Sequence, residues 1–197
     1  MLAPGFADPV LASQAAFRAI MDAMARPGSI VAVDGLAHAP RPLGLAAAAV
    51  ALTLLDYETP VWLDPVLAQS PDITDWLRFH TGAPLTDVPK RAAFGLIADP
   101  QNMLPFEAFS QGSMEYPDRA ATLVLQVDRL SDNGGLCLSG PGIVTSRALH
   151  AAPLPADFAA RMRANRALFP RGIDIILAAD ALLAALPRSV HVATEQT

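Results

Sequence analysis

The chain has 197 residues, 52% of them hydrophobic, with a mean hydropathy of +0.33 and a formal net charge of −5. This length and composition exclude intrinsic disorder, and they let a core form without disulfide or metal staples. No dense basic run supports nucleic-acid binding, and the longest charge-free apolar stretch, Pro42 to Leu55, is well short of the ~20 residues that span a bilayer.

Charge is scarce. With 14 basic and 19 acidic residues, charged side chains make up 17% of the chain, against ~25% in ordinary proteins. Either part of the surface is covered by another subunit, or an alanine-rich composition dilutes every other class. Lys90 is the sole lysine, and Cys137 the sole cysteine, so lysine chemistry has one candidate and an intrachain disulfide has none. The first residues carry no basic segment ahead of an apolar one, so no secretory signal is expected, and the chain reads as a cytoplasmic protein.

Along the chain, Asp8-Pro9 predicts a helix start, and Pro27-Gly28 a stop. Val10, Phe17, Ile20, Met21 and Met24 are expected on its buried face. Ser29 to Val33 reads as a short strand, Leu43 to Leu55 as a helix buried on most sides, and Pro60 to Leu63 as a strand. Asp72 is expected to cap a helix running through Trp76, Leu77 and Phe79 to Thr81-Gly82. Ala92 to Ala98 and Ala120 to Val127 follow as strands, with a turn-rich stretch between them that allows one short helix near Phe106 to Phe109. Leu136 to Ser139 is expected to pair with the preceding strand in a hairpin across Ser131 to Gly135. Ala156 to Leu168 predicts a helix with a polar face, Ile173 to Leu177 a buried strand, and Val190 to Ala193 a closing strand. Ala181 to Leu186 suits either a helix or a returning strand. Interleaved helices and strands without a linker or repeat predict one α/β domain with a mixed sheet between helices.

Catalytic motifs are missing. There is no P-loop and no Gly-x-Ser-x-Gly elbow. Gly140-Pro141-Gly142 lacks the third glycine of a dinucleotide fingerprint, and Pro141 offers no N–H to a phosphate, so a tight turn is expected there. His38, His80, His150 and His191 lack ligand spacing for a metal. Cys137 reads as a core residue or a nucleophile. The carboxylate pairs Glu115/Asp118 and Asp56/Glu58 read as solvated turn residues or as acid–base pairs.

Several stretches carry a further signal: Gly5-Phe6-Ala7-Asp8-Pro9, Met24-Ala25-Arg26-Pro27-Gly28, Thr59-Pro60-Val61-Trp62-Leu63 and Leu77-Arg78-Phe79-His80-Thr81. To these add Ala121 to Val127, Leu138-Ser139-Gly140-Pro141-Gly142-Ile143, Phe169-Pro170-Arg171-Gly172-Ile173-Asp174 and Pro187-Arg188 with His191-Val192. Their succession resembles the PhnH family, subunits of the bacterial carbon–phosphorus lyase core complex. The resemblance covers nearly the whole chain and implies a single three-layer α/β/α domain over residues 1–197. Its fold would be that of the pyridoxal-phosphate-dependent transferases without the cofactor or its Schiff-base lysine.

The activity implied belongs to the complex. With an ATP-binding-cassette-type partner, it attaches a phosphonate to the ribose C1 of ATP with loss of adenine, giving a ribose-1-phosphonate 5-triphosphate. The nucleosidase step is assigned to another subunit, so no catalytic residue, metal or cofactor is expected here. The implied partners are the other core subunits, with a homodimer in isolation. The alternatives are a stand-alone pyridoxal-phosphate enzyme, whose imine would need Lys90, and a free-standing phosphonate- or nucleotide-binding module.

If the chain holds an anion itself, arginines beside glycine or proline turns are the expected contacts. A guanidinium offers two parallel N–H bonds to a phosphate, and such turns let the backbone approach. Arg26, Arg171 and Arg188 fit that description, with Arg78 and His80 as a second cluster. Ordinary pairing with acidic residues at helix ends and in loops is the competing reading for all five.

Overall fold

The computed structural model describes residues 3–194. Helix α1 (Pro9–Ala25) begins where the sequence places it. The Asp8 carboxylate accepts the Val10 and Leu11 N–H groups at 3.1 and 3.0 Å, and Pro9 occupies the first turn. Its buried side differs from the expected one. Ala16, Ile20 and Ala23 face the core, whereas Val10, Phe17 and Met21 are 77%, 47% and 49% exposed. The cause is the neighbouring helix α2 (Leu45–Leu54), whose run of buried alanines lets α1 approach closely. Small side chains fit that contact, and the large stripe turns outward.

Helix α3 (Pro65–Ala68) is short, and α4 (Pro71–Thr81) buries Ile73, Trp76 and Leu77. The expected cap is corrected: Ser70 holds the N-cap position, and Asp72 lies within the first turn. Phe79 lies within the helix as expected, two residues beyond Leu77 and off the 73/76/77 stripe, and is 71% exposed. Gly82, at φ +70°, ends the helix in the left-handed conformation glycine favours. Helix α5 (Phe158–Ala167) completes the α-helical set.

Among the described residues the strands are β1 (Val31–Ala32), β2 (Val61–Leu63), β3 (Phe94–Ile97), β4 (Thr122–Gln126), β5 (Arg129–Ser139), β6 (Arg147–Ala152), β7 (Asp174–Ala179), β8 (Leu182–Leu186) and β9 (His191–Thr194). A mixed six-stranded sheet has the order β1-β8-β7-β4-β3-β2. Its strands β7, β4, β3 and β2 are parallel, and β8 and β1 are added antiparallel. The ambiguous Ala181–Leu186 stretch is thus mostly strand, because Leu182 to Leu186 pairs with β7 across a turn at Asp180.

Both sheet faces are buried, as continuous apolar strands require. Val61, Leu63, Leu96, Val124 and Ile176 pack under α1, α2 and α4. Trp62, Leu123, Leu125, Ile175 and Leu177 face α5, the turns around Phe106 and Phe109, and a second sheet of order β6-β5-β9. The expected α/β/α layering is therefore modified, since the second outer layer combines one α-helix with a three-stranded antiparallel sheet.

The expected hairpin between β4 and the Leu136–Ser139 strand does not form. Both registers of β5, Arg129–Ser131 and Leu136–Leu138, pair with β6. Residues 132–135 bulge out of one long strand, with Gly134 and Gly135 at φ +78° and +88°. The glycines do supply turn geometry, but inside a strand. The connection between β5 and β6 is instead the Gly140–Gly142 turn, as its composition suggested. Gly142 is at φ +80°, and a Cβ there would lie 2.2 Å from the Ala25 carbonyl oxygen. Only glycine lets this turn rest on the end of α1.

Candidate functional site

A cavity of about 540 Å³ opens at the C-terminal ends of the parallel strands. Ala98 follows β3, Gln126 to Asp128 close β4, Ala178 lies near the end of β7, and the N-terminus of α2 forms one wall. Open α/β sheets bind ligands at this edge, because loops diverge there while the strands hold their ends rigidly. His38, Arg41, Asp128 and Asp180 also line the mouth, all with exposed side chains.

The helix end in this wall is already partly engaged. The Gln126 side chain accepts the Gly44 N–H and donates to the Pro42 carbonyl at 3.2 Å, and the Ala46 N–H donates to the Asp180 carbonyl at 2.8 Å. With two N–H groups taken and two aspartates at the mouth, the cleft has no strong preference for anions. Beside it, the buried Asp64 carboxylate ties two strand ends together. It caps α3 through the Leu67 N–H at 2.9 Å and accepts the Ala98 and Asp99 N–H groups at 2.8 and 2.9 Å.

The five residues proposed as anion contacts are not brought into one site. Arg26 caps α1 and pairs with Asp22 at 2.8 Å, both side chains exposed. Arg78 is exposed and lies 3.9 Å from Asp75 on α4. His80 holds the N-terminal segment, its Nε2 lying 3.0 Å from the Ala3 carbonyl oxygen beside the Trp76 Nε1–H, which donates to the same oxygen at 2.9 Å. Arg188 grips Asp174 through a fork (Nε to the two carboxylate oxygens at 3.1 and 3.2 Å, with Nη2 also on Oδ2), the side chains only 15% and 14% exposed. Its Nη1 donates to the Pro117 carbonyl at 2.6 Å. Arg171 stands in the neighbouring turn, where its Nε is buried without a partner. None of these five lines the cleft.

The remaining chemical candidates are also dispersed. Lys90 is exposed and donates to the Glu107 carbonyl at 2.8 Å, outside the cleft. Cys137 is partly exposed at the centre of the small sheet, opposite Ala148 and Ala193. Glu115, Asp118, Asp56 and Glu58 are exposed turn residues. Among the described residues no group of three or more His, Cys, Asp or Glu is placed to hold a metal, and no helix is long and apolar enough to cross a membrane.

The model of the bacterial phosphonate metabolism protein family, PhnH, matches residues 4–193. The chain belongs to the PhnH family. It is 43% identical over 190 residues to the alpha-D-ribose 1-methylphosphonate 5-triphosphate synthase subunit PhnH of Rhizobium meliloti (strain 1021), covering 96% of this chain and 94% of that one. It is 32% identical over 180 residues to the putative C-P lyase subunit protein HtxG of Stutzerimonas stutzeri, covering 91% and 85%. Phosphonate metabolism is thus the setting of the family, as the ordered motifs implied.

For a PhnH-family chain the sequence reading missed the cleft. Asp128 and Asp180 belong to no motif, and Gln126 enters only as part of the Ala121–Val127 stretch that carries the family resemblance. The available signal was positional: Gln126 and Asp128 end the clearest strand in the sequence, where a parallel sheet presents its loops.

Proposed function

We propose that this chain is a subunit of a carbon–phosphorus lyase core complex. In this reading it supports formation of a ribose-1-phosphonate 5-triphosphate from ATP and a phosphonate, and it contributes contacts rather than covalent chemistry of its own. The observation that carries the reading is the outer stripe of α1. Val10, Phe17 and Met21, at positions i, i+7 and i+11 of one helix, are all exposed. An apolar stripe that the fold leaves uncovered is what a subunit presents to a neighbour. The two relatives, each named as a subunit, support the same assignment.

The polar groups fit a supporting role. Arg188, His80 and Asp64 are engaged in holding the fold. The chain acts as one PhnH-like unit in the cytoplasm and, when isolated, pairs with a second copy. In this reading the six-stranded sheet and its helices descend from the fold of a pyridoxal-phosphate transferase without the cofactor, and the surface position of the only lysine supports that descent.

Co-expression with the other core subunits, followed by size-exclusion chromatography, tests the proposal. Co-elution is expected, and Phe17→Glu with Met21→Glu should abolish it while leaving the thermal midpoint of the isolated chain unchanged. Separate elution of the unaltered chain would overturn the reading.

A further inference from the structure

Among the described residues, the Arg171 turn holds the one guanidinium with a buried nitrogen that no partner satisfies. Among the described residues, Arg171 belongs to none of the ion pairs, and its side chain makes no hydrogen bond. Its Nε is buried with no partner, while the two terminal nitrogens are not buried. Charge taken partly out of water demands a counter-charge, and here only the Nη edge is open to receive one.

Asp174, three residues along the chain, is already taken. Asp174 is held by the Arg188 fork, and Arg188 also reaches the Pro170 carbonyl at 3.4 Å, so the adjoining pair is neutral and leaves the Arg171 charge standing.

The turn is also rigid. The buried Asn165 side chain of α5 clamps Ile173, donating to its carbonyl at 2.9 Å and accepting its N–H at 2.8 Å. The Arg171 N–H donates to the Leu168 carbonyl at 3.0 Å, and the Gly172 N–H to the Gln111 carbonyl at 2.9 Å. Gly172 is at φ +113°, and a Cβ there would lie 2.7 Å from Asn165 Oδ1, so this close approach requires glycine. A backbone fixed from both sides needs no ordering on binding, which leaves only the side chain itself to be ordered.

From this geometry we propose that the Arg171 turn is an oxyanion-binding site. Arg171 receives two oxygens of a phosphate, phosphonate or carboxylate group end-on, through its two terminal N–H edges. The site lies outside the cleft and does not rest on the subunit reading, since a free-standing chain would bind in the same way.

Titrations of the full chain with inorganic phosphate, methylphosphonate and acetate, followed by calorimetry, test it. Saturable one-site binding is expected for at least one probe. Arg171→Ala should weaken it at least about tenfold, the scale of one lost charge-assisted contact, and Arg171→Lys should restore part of it by returning the charge without the fork. Arg26→Ala and Arg78→Ala should bind as the unaltered chain does. Saturation by phosphate or methylphosphonate identifies a phosphorus oxyanion as the ligand, and saturation by acetate alone identifies a carboxylate. Saturation by none of the three overturns the proposal, as does an equal loss in Arg26→Ala, which would indicate diffuse charge. Circular-dichroism melting establishes that each variant is folded, and Arg171→Gln replaces Arg171→Ala if the latter is not.

Discussion

Arg171 and Arg188 look equivalent in the sequence, each beside a proline or glycine turn, yet the structure gives them opposite energetic roles. Arg188→Ala removes the fork on Asp174 and the donor to Pro117, leaving a carboxylate only 14% exposed without its cation. Breaking a buried pair from one side costs about 3–5 kcal/mol. Because one-seventh of the pair still meets solvent, the lower end applies, about 3 kcal/mol. The Arg188 backbone N–H still donates to Asp174 at 2.8 Å in this variant, which anchors the strand end and keeps the loss from growing. Arg188→Ala combined with Asp174→Asn removes the stranded charge while preserving that acceptor, so the double variant should recover at least about 1 kcal/mol relative to additivity. Arg171→Ala should change stability by less than about 0.5 kcal/mol, since it removes a side chain that satisfies nothing. Urea unfolding of the unaltered chain, Arg188→Ala, Asp174→Asn, the double variant and Arg171→Ala measures all of these terms. A loss below about 1 kcal/mol in Arg188→Ala, or a larger loss in Arg171→Ala, would refute the assignment of structure to one arginine and free charge to the other.

Asp64→Ala should cost about 2–4 kcal/mol, because a helix cap and two further N–H acceptors at the ends of β2 and β3 vanish together. Asp64→Asn should rescue only part of that in urea unfolding, since its amide nitrogen cannot accept the Ala98 and Asp99 donors. Gly142→Ala should lower the thermal midpoint by several degrees, as its Cβ meets the Ala25 carbonyl at 2.2 Å. An unchanged midpoint would mean that the β5–β6 turn does not rest on α1. Lys90→Ala should leave stability within about 0.5 kcal/mol by the same assay, because its hydrogen bond to the Glu107 carbonyl is an exposed one.

The parts of the fold legible in the sequence are those where local chemistry and burial agree. Asp8-Pro9 starts a helix by satisfying orphan N–H groups, whatever packs nearby. The strands of the large sheet are recognisable because both faces are covered, which demands unbroken apolar runs such as Leu123-Val124-Leu125. Pairing was less legible. β6, Arg147-Ala148-Leu149-His150-Ala151-Ala152, has neither β-branched residues nor clear alternation, so its sequence does not announce a strand, and without it the residues of β5 have only β4 as an expected neighbour. The site was least legible. Its anion candidates were chosen by residue type and turn context, and those criteria do not distinguish a guanidinium with a carboxylate in its fork from one without.

Helix α1 shows why apolar periodicity cannot identify the buried face of a subunit. Val10, Phe17 and Met21 satisfy the helical period as well as any core stripe, and Ile20 and Met24 extend the apparent face toward the interior. The contact is decided by α2. A surface of Ala46 to Ala51 has no deep grooves for large side chains, so the closest packing turns the small residues Ala16 and Ala23 of α1 inward. The larger side chains are then displaced by roughly a third of a turn, where none of the described residues covers them. One helix thus carries two apolar surfaces of different grain: fine on the inside, set by its own partner helix, and coarse on the outside. Coarse, aromatic and methionine-bearing surfaces are the kind that reach into pockets on another protein. The scarcity of charge along the chain agrees with this arrangement, because a face to be covered gains nothing from charges that would have to be desolvated.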